Sequence, residues 1–218
     1  MIGKMGLFPD DEARGESAFS CYLHGYVTSR LMKLAVEAVA RGDEGLPVCV
    51  AATKVDGFVL SLTPNTHSYN YRSAVLQGHA AIVADDEEKL WAMRLITNSV
   101  VPGRWENTRT PPDGAEMQST RVLKVKVASA SGKVRAGMPS DEKKDLRREE
   151  VLDRVWTGVI PVHEEFGEPQ VSSYNRVSKV PAQVLDFIQK GNDVRKQFAC
   201  DAANNPAPQK KKERREDD

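Results

Sequence analysis

The chain has 218 residues, with 31 Lys plus Arg against 31 Asp plus Glu, so its formal net charge is zero; this excludes a strongly basic nucleic-acid binder and an acidic disordered chain. At 40% hydrophobic residues it is long enough for one domain or two small ones. No apolar run approaches the ~20 residues of a membrane span, and the first twenty residues carry Asp10, Asp11, Glu12 and Glu16 where a secretory signal has an apolar centre. Residues 1–18 read as an irregular lead-in because Pro9, the acids and Gly15 break any pattern. A first strand over Phe19–His24 ends at Gly25. Ser29 then precedes Leu31, Leu34, Ala35, Ala38 and Val39, a helical spacing with a suitable N-cap and a stop at Gly42. Pro47–Lys54 and Gly57–Thr63 are β-branched and apolar, and Asp56-Gly57 between them signals a hairpin turn. A long strand follows over Ser73–Ala84, with Gly78 as a bulge or barrel corner.

Four acids from Asp85 to Glu88 open a second helix that runs to about Asn98, since acids in a first turn complement the helix dipole. Residues 102–119 read as a loop. Thr120–Ala128 alternates as a strand, with Val122, Lys124 and Lys126 on a largely solvated face. Val155–Val162 is a last strand with Trp156 in the core, and Pro181–Ile188 a short terminal helix. Residues 201–218 have no aromatic and no β-branched residue and read as a disordered charged tail, which leaves a single domain over 19–190. Six strands with flanking helices and no βαβ repeat point to a mainly β, mostly antiparallel small barrel. Three cysteines, Cys21, Cys49 and Cys200, lack motif spacing and fit a reducing, cytoplasmic compartment.

Two segments concentrate chemistry. In the first, a strand delivers His24 and Gly25, and a short loop reaches Ser29 and Arg30 at a helix start. Free backbone N–H groups at a helix N-terminus favour an anion, and Arg adds a planar fork suited to phosphate. The plainer alternative is a helix merely capped by Ser29, with Arg30 facing solvent. In the second, His67, Tyr69, Asn70, Tyr71, Arg72 and Ser73 offer stacking and hydrogen-bonding groups that suit a heteroaromatic ligand with a polar tail, or else form a polar loop whose tyrosines cap the core. Arg104, Arg109, Lys133 and Arg135 either line the mouth of an anionic site or are solvated loop residues. No HExxH, CxxC, GxSxG or GxxxxGK[ST] is present, which disfavours a zinc hydrolase, a serine hydrolase and a P-loop enzyme and offers no metal site. No residue is an obvious general acid or base, and His24 and His67 are the candidates by chemistry alone.

The stretches YLHGYVTSRLMKLA, LPVCVAATKVDGFVLS, HSYNYRSAVLQGHAAIV, DEEKLWAMRLI, PGRW, SGKVRAGMPSDEKKDL and VWTGVIP, in that order over roughly residues 20 to 165, resemble the flavin-nucleotide-binding proteins related to pyridoxamine 5′-phosphate oxidase, in the branch near the nitroimidazole-resistance proteins. The resemblance implies a six-stranded antiparallel split barrel that binds FMN between the two subunits of a homodimer and acts as an oxidoreductase on a small molecule, with no role for nucleic acid or membrane. It places His24, Gly25, Ser29 and Arg30 at the FMN phosphate, Asn70, Tyr71, Arg72 and Ser73 beside the flavin, and Lys133 and Arg135 in a late basic motif. Leu31 stands where many relatives carry lysine. Relatives usually have a helix and a β-hairpin ahead of the YLHG strand; with only about twenty irregular residues there, this chain is expected to lack those N-terminal strands, either through truncation or through loss of part of the cofactor site. That absence motivates a rival reading, a non-enzymatic accessory protein on a degenerate flavin fold. A further rival is a haem-handling protein with a histidine on the iron.

Overall fold

In the computed structural model, residues 1–206 are described. They form six strands in one sheet, in the order β1-β2-β5-β4-β3-β6, with helices beside it. The strands are β1 (Gly3–Gly6), β2 (Ser20–Tyr26), β3 (Leu46–Leu60), β4 (Ser68–Ile82), β5 (Thr120–Arg135) and β6 (Gly158–Pro161). The helices are α1 (Pro9–Ala13), α2 (Arg30–Ala40), α3 (Asp86–Val100), α4 (Gly114–Ser119), α5 (Glu149–Leu152) and α6 (Ala182–Asn204). The fold is thus mainly β, six-stranded and antiparallel, as the sequence implies. Among the described residues no helix is long and apolar enough to cross a membrane.

The residues divide into two compact units. The first comprises Met1–Ala51, Val75–Ser131 and Pro181–Phe187; the second comprises Ala52–Ala74, Gly132–Val180 and the described residues from Ile188 to Pro206. In the first unit, β1 pairs with β2, and β2 pairs with β5 in the register Cys21↔Val125, Leu23↔Leu123. Strand periodicity puts Cys21, Leu123 and Val125 on one face, where they pack with Met32 and Ala35 of α2. Tyr22 and Val122 face the other way, against Ala92 and Ile96 of α3. Asp85 caps α3 by accepting from the Glu88 backbone N–H.

Several sequence expectations are corrected. Residues 1–18 are not irregular: β1 forms by backbone pairing, and α1 begins at Pro9, a good first helical residue. Asp56-Gly57 is not a turn, because β3 runs unbroken through it. Gly57 serves close approach instead, since a β-carbon there would lie 2.9 Å from Val159 of β6. Gly78 has the same role: its β-carbon would lie 2.0 Å from the Lys126 carbonyl of β5. The face of β5 carrying Val122 and Lys124 is not solvated, because α1 and α3 supply partners for it. Trp156 is 66% exposed rather than core. Residues 102–119 include α4, whose Asp113 and Glu116 form a reciprocal capping box. The terminal helix is far longer than Pro181–Ile188 and takes in residues 201–204 of the expected tail; 207–218 lie outside the described residues.

Candidate functional site

The first unit holds the turn from β2 into α2. Val27 N–H donates to the Ser119 carbonyl and Ser29 N–H to the Tyr26 carbonyl, so the backbone of the turn is held at both ends. Ser29 occupies the N-cap position of α2, yet its hydroxyl makes no capping bond. Its Oγ is buried without a hydrogen-bond partner, and so is Nδ1 of His24. Leaving such a group unsatisfied costs about 1–3 kcal/mol. Arg30 follows, exposed, as the first helical residue. No acid lies in the first turn of α2, whereas α1 and α3 each carry three there. The positive end of the α2 dipole is therefore not neutralised by its own side chains. The donors at this helix start fit a phosphate: a guanidinium fork, a hydroxyl and the free N–H groups of the first turn. The plain-capping alternative does not describe Ser29.

His24 also lines a cavity of about 320 Å³, with Thr97, Trp105, Thr108, Arg109 and Thr120 among its walls. Arg109 pairs with Glu116, the capping-box residue of α4, so this wall is cross-braced. Of the basic loop residues singled out in the sequence, Arg109 reaches this cavity. The hydroxyls of Thr97, Thr108 and Thr120 carry no motif and were not legible in advance. The D-x-x-E signature at Asp113–Glu116 was the available signal for that wall.

The second unit holds the remaining candidates. Arg72 donates to both carboxylate oxygens of buried Asp56, through Nε and Nη2 at 2.8 Å each, and its guanidinium lies 3.8 Å from the Phe198 ring of α6. Donation to the Asp56 carboxylate raises the pKa of Arg72. Asn70 is fully buried; its amide donates to the Ala202 carbonyl and its oxygen accepts from Arg135. Burial lowers the pKa of Arg135, whose guanidinium also approaches the Gly137 and Met138 carbonyls at 3.4 Å. Asn70 and Arg72 are thus engaged with α6, and Arg135 with Asn70 and the Gly137–Met138 backbone. Tyr71, Ser73 and Lys133 are brought together differently: Ser73 donates to the Lys133 carbonyl at 3.4 Å, and Lys133 Nζ lies 5.9 Å from the Tyr71 ring. His67 Nδ1 is 2.9 Å from the Thr63 carbonyl, which fixes the proton on that nitrogen. Gly25, Ser29 and Arg30 lie together at the start of α2, whereas His24 faces the cavity beside α3; all four belong to the first unit and the strand residues to the second.

The fold is that of a mainly β protein with one antiparallel six-stranded sheet and flanking helices. The family model described as pyridoxamine 5′-phosphate oxidase matches residues 11–134, more than half of the chain, and the chain belongs to that family. Two solved structures are similar to it over most of both chains. One is the flavocytochrome Anf3 from Azotobacter vinelandii, 25% identical, covering 85% of this chain and 83% of that one with a TM-score of 0.65. The other is the FAD and heme binding protein from Mycobacterium smegmatis, 26% identical, covering 78% of this chain and 77% of that one, also with a TM-score of 0.65. No curated protein sequence gives a significant match.

Proposed function

We propose that this chain is a flavin-nucleotide-binding redox protein, with FMN as the nucleotide and its phosphate seated at the β2–α2 turn. The observation that carries this reading is the buried, unpartnered Ser29 Oγ at the start of α2, a helix with no acid in its first turn. Family membership and the two flavin-binding structural relatives support it. A bound flavin supplies the hydride or single-electron chemistry, and the protein binds and orients it. Arg30 clamps phosphate oxygens, and Ser29 donates its hydroxyl proton to one of them. His24, on the wall of the cavity, is the titratable group positioned to hold or deliver a proton to a small-molecule substrate there. Trp105 and the threonine hydroxyls give that cavity one apolar wall and several neutral donors.

A second reading, FAD together with haem, is supported by the two relatives, one a flavocytochrome and the other described as binding FAD and heme. The unpartnered imidazole nitrogen of His24 has the chemistry of an iron ligand. The visible spectrum of the purified protein separates the readings, with the released flavin identified by chromatography. Flavin bands and released FMN are expected. FAD with a Soret band favours the second reading, and no chromophore even after FMN addition makes the accessory-protein reading the right one. Self-association is part of the proposal: Phe58, Tyr69 and Ile160 are each more than 40% exposed, and they line one apolar groove of the second unit. Sedimentation should give a dimer, and a clean monomer at micromolar concentration contradicts it.

A further inference from the structure

The second unit holds another cavity, of about 290 Å³, whose charged lining is Lys54, Asp56, Arg72, His163, Glu164 and Arg195. Three permanent cations face two carboxylates there, a surplus of one positive charge. Two of the cations are matched. Arg72 holds Asp56 in a bidentate pair, and Lys54 holds Glu164. Lys54, with a smaller contribution from the charge of Arg195, keeps the Glu164 carboxyl below the usual range. Arg195 itself forms no ion pair among the described residues, and its Nη1 is buried without a hydrogen-bond partner.

The chain holds this unmatched guanidinium in place with several residues. Its carbon lies 3.8 Å from the centre of the Phe166 ring. Phe166 is pinned in turn by Asn192 of α6, which accepts from the Phe166 N–H at 2.8 Å and donates to the Phe166 carbonyl at 3.0 Å. Gly191 makes room for the stack: a β-carbon there would lie 2.9 Å from the Phe166 ring and 3.1 Å from Arg195 Nη1. Glycine is the poorest helix former after proline, yet it stands inside the 23-residue α6 at this point. A cation so fixed, stacked and half-buried lacks only an anion.

We propose that this cavity binds a short-chain monocarboxylate, its two oxygens received by the Arg195 fork and its apolar stem lying against Val55 and Val162. The planar fork matches a carboxylate in two parallel hydrogen bonds. The single surplus charge matches one carboxylate, and the two valines in the lining match a hydrocarbon stem. The site shares no residue with the β2–α2 turn or its cavity, so it stands or falls independently of the flavin reading.

The test is titration of the purified full-length chain with butyrate, butyramide and inorganic phosphate, followed by calorimetry and by NMR of the valine methyl groups. Butyrate should bind saturably, with Kd on the order of 1 mM. It should give contacts to the Val55 and Val162 methyls, and butyramide should bind at least about tenfold more weakly because it lacks the charge. Arg195→Met should weaken butyrate by at least about tenfold, and Arg195→Lys should recover part of that loss. The valine contacts and the butyrate–butyramide comparison are read on the unaltered chain, so they decide the matter even if Arg195→Met fails to fold. Equal binding of butyrate and butyramide, phosphate binding in place of butyrate, contacts elsewhere, or a folded Arg195→Met that binds as well as the parent would each overturn the proposal.

Discussion

Replacing Lys124 with methionine tests the packing of the first unit most sharply. Its ammonium sits 2.8 Å from Glu88 and is hydrogen-bonded to Asp11, and the three side chains are only 13%, 14% and 9% exposed. The Tyr22 hydroxyl donates to Glu88 at 2.6 Å and completes the cluster. Methionine keeps the stem and its packing but leaves two nearly buried carboxylates without a cation. Removing one partner of a buried pair costs about 3–5 kcal/mol. The residual exposure of Glu88 argues for the lower end, about 3 kcal/mol. For a chain of this size that lowers Tm by about 6–12 °C, measured by calorimetry at neutral pH. Adding Asp11→Asn and Glu88→Gln should recover more than half of the loss, because the stranded charges are then gone. The cluster also sets a pH limit. Burial depresses the Lys124 ammonium, but the bonds and charges of Asp11 and Glu88 outweigh it, so its pKa lies above the ordinary value of 10.5. Burial, and then Glu88, push the Tyr22 phenol upward as well. Both folded values exceed the unfolded ones, so both contributions are fully present below about pH 10 and are lost as the pH rises beyond it. Stability should therefore fall in alkali, and the fall should be shallower in the Lys124→Met, Tyr22→Phe double variant. A loss below about 1 kcal/mol for Lys124→Met, the range of exposed pairs, would mean that water reaches the cluster and would refute the reasoning.

Gly78→Ala should abolish soluble expression, because the new β-carbon would lie 2.0 Å from a backbone oxygen of β5 that cannot move aside; a stable Gly78→Ala protein would contradict the strand approach described. Arg72→Ala should destabilise by about 2–3 kcal/mol in denaturant titration, since the buried Asp56 carboxylate loses the guanidinium it is paired with and Phe198 loses its stacked cation. Asp113→Ala should cost about 1 kcal/mol through the lost capping box, read as faster amide exchange in Gly114–Ser119.

The sequence carried the signals whose physical cause is local. Ser29 and the 3.6-residue apolar spacing after it marked α2 within a residue, and Asp85–Glu88 marked the start of α3. The helix start at Ser29 and Arg30 was legible because a cap residue and the apolar spacing after it act at short range. What was lost depends on partners distant in sequence. The alternation of β5 was visible, but the helices covering its Lys124 face come from residues 11 and 88, more than thirty positions away. Asp56-Gly57 carries the local signal of a turn, and only the buried pairing with Arg72 and the nearness of β6 make it strand. Asn70 reads as a ligand-facing group for the same reason, since its amide donates to Ala202 of a helix expected to end at Ile188, and Arg135 follows it because it donates to Asn70 across 65 positions.

The central claim is that a flavin phosphate is held where α2 begins, and Arg30→Ala titrated with FMN and with riboflavin tests it most directly. One charge-assisted hydrogen bond contributes about 1.5–3 kcal/mol, and each 1.4 kcal/mol is about tenfold in affinity. The substitution should weaken FMN by about ten- to a hundredfold and leave the weaker binding of riboflavin, which has no phosphate, nearly unchanged. Arg30 is exposed, so Tm should stay within about 2 °C of the parent. Equal losses for the two ligands, or an unaltered chain that binds neither, would contradict the account.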